Sequence, residues 1–219
     1  MSLLKANGVS KRFGGVQALS GIDFTIEEGE IVGLIGPNGA GKTTLFNMVA
    51  GTLPVDSGEV LFMDKSITGL PPHQVCRRGI ARTFQITRIF AEMTVMENVL
   101  VAQIGNRQKL PQSDPESHAL ELIDLTGLKG KEHVHAGQLN LIDKKRIELA
   151  RALATGPRLI LLDEVLGGLN TSEIPEGVHL IRAIRDQRNI TVFWIEHIMG
   201  AIMRLSERVL VLDQGRIIS

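Results

Sequence analysis

The first thirty residues alternate apolar and polar positions, as at 3–9 and 22–26, with a Phe13-Gly14-Gly15 turn between them. A period of two is that of strands with one buried face, so the pattern predicts antiparallel strands. Residues 58–63 form another extended stretch that belongs with them. Residues 30–35 are a short apolar run fit for a buried parallel strand, and 43–50 continue with helical spacing. From Pro71 to about Gly156 the pattern is mainly helical, including 117–126 and 144–155, with Leu110-Pro111 and Gly156-Pro157 as punctuation. Strands return at 158–162, 190–195 and 208–212, separated by helical stretches at 172–187 and 198–206. Such alternation gives a parallel sheet flanked by helices. The chain is therefore predicted to be α/β, a mainly parallel sheet with an N-terminal antiparallel β-subdomain and a helical insertion.

Composition narrows the setting. With 219 residues and 43% hydrophobic content, the chain can build one large domain or a domain with a small lobe. Lysine plus arginine equals aspartate plus glutamate at 24 each, so a nucleic-acid role would need a local patch. The single cysteine, Cys76, excludes an internal disulfide framework and fits a reducing compartment. The first residues lack a secretory pattern, and the apolar runs fall far short of the ~20 residues that span a bilayer, so work at a membrane would be peripheral. His133 and His135 stand two apart with no cysteine pair nearby, which does not meet zinc spacing.

Candidate chemistry concentrates in four places. Gly36-Pro37-Asn38-Gly39-Ala40-Gly41-Lys42-Thr43, followed by Thr44, is a phosphate-binding loop set between the apolar strand and the helix. Backbone N–H groups of such a loop turn into one concavity, Lys42 reaches the β and γ phosphates, and the Thr43 hydroxyl can ligate Mg²⁺. A side chain at Gly36 or Gly41 is expected to crowd the phosphate or strain the backbone. Residues 159–162 are aliphatic and end in Asp163 and Glu164, where a parallel sheet delivers its ligand-binding ends. Asp163 would hold Mg²⁺ and Glu164 would polarise the attacking water, although acidic strand ends also cap turns. His197 follows the 190–195 strand, placed either to contact a γ phosphate or to serve structurally. Gln85 ends a short extended piece at 82–85; its amide can ligate Mg²⁺ or orient water, and it is equally a common loop residue.

These motifs, in this order and spacing and over essentially the whole chain, resemble the ATP-binding subunit of an ABC transporter. The resemblance implies a P-loop NTPase core at about 1–84 and 157–219, a helical subdomain at about 85–156, and ATP with Mg²⁺ as ligands. It implies that Phe13 stacks on adenine, with a turn or core aromatic as the alternative, that Gln85 and His197 act with Glu164, and that Gly167 to Asn170 form the D-loop. It also implies a second ATPase subunit, the same or different, bound head to tail, and transmembrane permease subunits contacted around 85–96 at the cytoplasmic face of the membrane. Residues 67–71, 82–85 and 90–99 resemble the ATPases of branched-chain amino-acid importers, which implies uptake of such solutes.

One segment departs from the family. Its signature, usually Leu-Ser-Gly-Gly-Gln and read by the opposite subunit's ATP, is here Leu139-Asn140-Leu141-Ile142-Asp143. Two glycines have become large aliphatics; Asn140 can still donate where serine would, and Asp143 is expected to cap the 144–155 helix rather than face phosphate. The cations at 144–146 are expected to form an ordinary solvated face. Because the signature acts in trans, the departure leaves this chain's own loop, carboxylates and histidine intact; if the partner is a different ATPase with a full signature, the pair is expected to be asymmetric, with the site built on Lys42 and Glu164 the better catalyst. Val165 replaces a common proline, and 103–117 reads as shorter than in many relatives. Two further classes compete: a soluble nucleotide-sensing cassette with little turnover, and a GTPase or kinase, for which no Asn-Lys-x-Asp guanine reader is present. A cassette acting on nucleic acid would need a second cassette or long inserts, so no nucleic-acid partner is expected.

Overall fold

A computed structural model describes residues 2–105 and 114–219. The Leu110-Pro111 punctuation and much of the 103–117 stretch lie outside them. Strands β1 (Ser2–Phe13) and β2 (Val16–Glu27) pair antiparallel around the predicted turn. On its other side β1 pairs with β4 (Ser57–Phe62), which is followed by the short β5 (Lys65–Ser66). The remaining strands form a six-stranded sheet. Its order is β10 (Arg216–Ile217), β9 (Arg208–Asp213), β3 (Ile31–Ile35), β8 (Thr191–Ile195), β7 (Leu159–Asp163) and β6 (Ile80–Arg82). All neighbours are parallel except the β9–β10 hairpin.

The parallel strands are buried on both faces, which is why they read as continuous apolar runs rather than as alternation. Their side chains divide by period two between two cores. Val32, Leu34, Leu159, Leu161, Phe193 and Ile195 face the antiparallel sheet and helix α1 (Lys42–Val49). Ile31, Ile160, Leu162, Val192 and Trp194 face the helices on the opposite side. Buried Trp194 keeps its polar handle satisfied, donating from Nε1 to Ser206 Oγ at 2.9 Å.

The stretch predicted to be mainly helical does start with a helix at Pro72, but a strand interrupts it. Helix α2 (Pro72–Arg78) leads into β6, so the short extended piece before Gln85 is the edge strand of the parallel sheet. Helix α3 (Val95–Gln103) starts with a reciprocal capping box between Thr94 and Glu97, and α4 (Pro115–Leu125) starts at Asp114. Helix α5 (Leu141–Ala154) begins three residues before its expected start. Its cap is Asn140, whose Oδ1 accepts from the Asp143 N–H at 2.8 Å, so Asp143 is not the cap. Asp143 instead lies buried in the first turn, where the helix dipole favours a carboxylate, and takes Lys131 Nζ at 2.6 Å. Replacing Asn140 with alanine is expected to cost about 1 kcal/mol of stability, read as a lower denaturant midpoint with unchanged slope. Helices α6 (Ile174–Arg188) and α7 (Met199–Leu205) complete the layer.

Candidate nucleotide site

Adjacent parallel strands deliver the candidate residues to one edge of the sheet. In the order β3, β8, β7, β6, their carboxyl ends carry the glycine loop, Glu196 and His197, Asp163 and Glu164, and Thr83 to Gln85. Four segments distant in sequence therefore meet side by side.

The loop folds back against protein as well as toward its ligand side. A Cβ at Gly36 (φ 152°) would stand 2.0 Å from the Leu212 carbonyl oxygen, and one at Gly41 (φ 107°) would meet Leu19 at 2.7 Å and the Ala18 carbonyl at 2.8 Å. Both glycines have the positive φ that makes the expected backbone strain real for any other residue, and contacts within the fold add a second reason for them. Helix α1 starts at Gly41 with no side-chain cap and no acidic residue in its first turn. Its free N–H groups and dipole form a site for anionic oxygen. Lys42 Nζ is buried among carbonyls, donating to Gly36 O at 2.7 Å and Pro37 O at 3.0 Å. Burial pulls its pKa down, opposed by the charges of Glu164 and Asp163. Thr43 is exposed beside it, and Thr44 is half-buried.

Asp163 is buried, and its two oxygens differ. Oδ2 receives Arg82 at 3.2 Å, whereas Oδ1 has no partner. Burial raises its pKa against the pull of Arg82. An unpartnered buried carboxylate oxygen suits a hard divalent cation, and together with the open α1 terminus fits Mg²⁺ with a nucleoside triphosphate. Arg82 also donates to Asn47 on α1, tying β6 to the loop helix, and the Asp163 N–H donates to Thr83 Oγ1 at 3.2 Å.

Glu164 is the point of convergence. Gln85 Nε2 donates to its Oε2 at 3.0 Å, and His197 Nε2 lies 2.8 Å from its Oε1. Its backbone has φ 51°, a left-handed conformation costly for a side-chain-bearing residue and characteristic of sites where the surroundings dictate geometry. Buried Glu196 organises the turn beyond, with Oε1 accepting from the Leu166 N–H at 2.8 Å and Oε2 from the His197 N–H at 3.2 Å. Burial raises its pKa.

The stretch after Gln85 is fastened to the helical layer. Glu148 accepts from the Arg88 N–H at 3.1 Å, and Arg151 donates to the Arg88 carbonyl and covers the Phe90 ring at 4.5 Å. Asn98 holds both backbone groups of Phe90. Phe13 ends β1 and is 47% exposed, the accessibility a stacking ring requires. Of the signature segment, Leu139 is partly buried, Leu141 is 57% exposed over Gly168, and Ile142 is half-buried.

Lys145 departs from the solvated face expected of 144–146. Its Nζ donates to the carbonyls of Glu164 at 2.9 Å and Gly167 at 2.6 Å. Arg82, Lys145, Glu148 and Glu196 are site-supporting residues that the sequence reading did not select.

Residues 19–167 match the family described as ABC transporter. The chain belongs to the ABC transporter family. It is 40% identical over 226 residues to the high-affinity branched-chain amino acid transport ATP-binding protein LivG of Escherichia coli (strain K12), covering 97% of this chain and 89% of LivG. It is 38% identical over 229 residues to BraF of Pseudomonas aeruginosa, with the same coverage. A nucleotide-free ATP-binding cassette from an ABC transporter superposes with a TM-score of 0.87 at 30% identity, covering 100% of this chain and 90% of that one. An ADP-bound form of an ABC transporter cassette gives 0.89, again at 30% identity and with the same coverage. The expected ABC ATPase fold is therefore present, and the chain is an ATP-binding and ATP-hydrolysing transporter subunit.

Proposed function

We propose that this chain powers uptake of branched-chain amino acids or closely related small solutes, from the cytoplasmic face of the membrane. The observation that carries the hydrolytic reading is the seating of Gln85 and His197 on the two carboxylate oxygens of Glu164, beside the glycine loop. Phe13 stacks on adenine; residues 36–44 hold the phosphates; Thr43, Asp163 and Gln85 supply the Mg²⁺ ligands. When bound, Mg²⁺ neutralises charge on the β and γ phosphates. Lys42 leaves its loop carbonyls for phosphate oxygen, and Glu164 accepts the proton of the attacking water while Gln85 and His197 fix its orientation. His197 also reaches the γ phosphate. Residues 85–156 act as a helical subdomain on a core formed by 1–84 and 157–219.

Among the described residues no helix is long and apolar enough to cross a membrane. The membrane path is assigned to transmembrane permease subunits. A groove of about 460 Å³ between core and helical layer, lined by Phe84, Arg88, Phe90 and Val101, suits a short permease segment, with Ile86 exposed beside it. The second ATPase subunit binds head to tail; a bacterial ABC transporter cassette of 25% identity and TM-score 0.87 has been solved as a dimer. Leu141 and Ile142 favour a partner carrying a full signature, which would make the site built on Lys42 and Glu164 the better catalyst. Co-purification with the permease subunits, followed by ATP hydrolysis in vesicles with leucine, isoleucine or valine and their binding protein, tests the assignment. Stimulation is expected; hydrolysis indifferent to every such solute would sink it. Phe13→Ala is expected to raise the KM for ATP by about 5- to 100-fold with little change in kcat, since one base stack contributes ~1–3 kcal/mol.

A further inference from the structure

We propose that Lys145 is a positioning residue for ATP hydrolysis, a strut between the signature helix and the backbone that carries Glu164. The proposal rests on the reading of Glu164 as the general base. Lys145 lies one turn into α5, which Asn140 caps and Leu141 begins. Its side chain is half-buried. It crosses to the sheet edge and donates to two carbonyls, Glu164 O at 2.9 Å and Gly167 O at 2.6 Å.

Those carbonyls bracket the turn that aims the catalytic carboxylate. Glu164 needs holding because its φ of 51° is unfavourable for any residue with a Cβ. Its N–H is fixed by Ile195 O at 3.0 Å, and its carbonyl also takes the Gly167 N–H at 3.1 Å. Lys145 supplies the tie from outside the sheet; burial lowers its pKa, opposed by the charges of Glu196, Glu164 and Glu148. Gly167 leaves room for it: a Cβ there would stand 3.2 Å from Lys145 Nζ and 3.1 Å from Glu164 O. Lys145 thus gives a shift of the signature segment on engaging the partner's ATP a direct route to this chain's own Glu164. A lysine that merely neutralised Glu148 and Glu196 would need no bond to either carbonyl.

The test measures kcat and KM for ATP in the assembled transporter for Lys145→Met, Lys145→Arg, Gly167→Ala and Glu164→Gln. Lys145→Met is expected to lower kcat about 10- to 100-fold, as slight misplacement of a catalytic group does, with KM for ATP within about twofold. Lys145→Arg, which keeps charge and donors, should recover most of that loss. Gly167→Ala keeps the lysine charge but crowds both its ammonium and the Glu164 carbonyl by a few tenths of an ångström, so it should lower kcat in the same sense. Full kcat in either Lys145→Met or Gly167→Ala overturns the proposal, as does a matching loss of ATP binding. An inactive Glu164→Gln beside an active Lys145→Met overturns the role of Lys145 alone; an active Glu164→Gln removes the base reading and the proposal together.

Discussion

Replacing Glu164 with glutamine is expected to lower ATP turnover by about 10²- to 10⁴-fold while leaving ATP affinity within about twofold. The change removes one negative charge and almost no volume. Gln85 Nε2 can still donate to the amide oxygen, so the geometry that gathers Gln85 and His197 around this side chain survives in large part. What disappears is the group able to take a proton from water. Lys42, the open start of α1 and the unpartnered Asp163 oxygen are untouched, so nucleotide and Mg²⁺ should bind as before. Single-turnover hydrolysis and equilibrium ATP binding in the assembled transporter read the two effects separately. Making the equivalent change in the other ATPase subunit extends the test to asymmetry: equal losses from the two variants would argue against a pair with one better site.

The residues gathered at this site were legible to unequal degrees. The glycine loop and the Asp163-Glu164 pair are contiguous in sequence and sit where an apolar run stops, so local pattern suffices to find them. Gln85 and His197 gain meaning only from strand order, because β6 and β8 flank the strand that ends in Glu164. Arg82, Lys145, Glu148 and Glu196 carry no local sign of their roles. Lys145 sits in a cationic run that reads as a solvated helix face, and its carbonyl partners are about twenty residues away across two layers. Periodicity missed the start of α5 because Leu141 and Ile142 fill positions where an open signature turn was expected, while Asn140 supplies an ordinary cap. The two-residue strand β10 is too short to leave any period, and β6 was read only as a short extended piece at 82–85, which overlaps it at Arg82.

Phe193→Ala should be among the most destabilising single changes in the chain, at about 3–5 kcal/mol. The ring is fully buried on β8, beneath the junction of three elements. Its centroid lies 4.9 Å from that of Phe46 on α1 and 5.5 Å from that of Phe24 on β2, at interplanar angles of 52° and 44°. Deleting it removes apolar burial, leaves a cavity and breaks two tilted aromatic contacts together. Against a total stability that is ordinarily ~5–15 kcal/mol, this is a large fraction. The consequence should extend to nucleotide binding, because Phe46 lies one turn beyond Lys42 on the helix whose start faces the phosphates. Phe193→Leu, which refills most of the space, should cost clearly less. Denaturant midpoints at unchanged slope would rank the three proteins wild type, leucine, alanine; a midpoint for the alanine variant equal to that of wild type would show that this junction is not where the two sheets and the loop helix are joined energetically. The contrast with Glu164→Gln is then diagnostic: a change at the junction weakens folding and ATP affinity in step, whereas a change at the carboxylate removes chemistry from a protein that still folds and still binds.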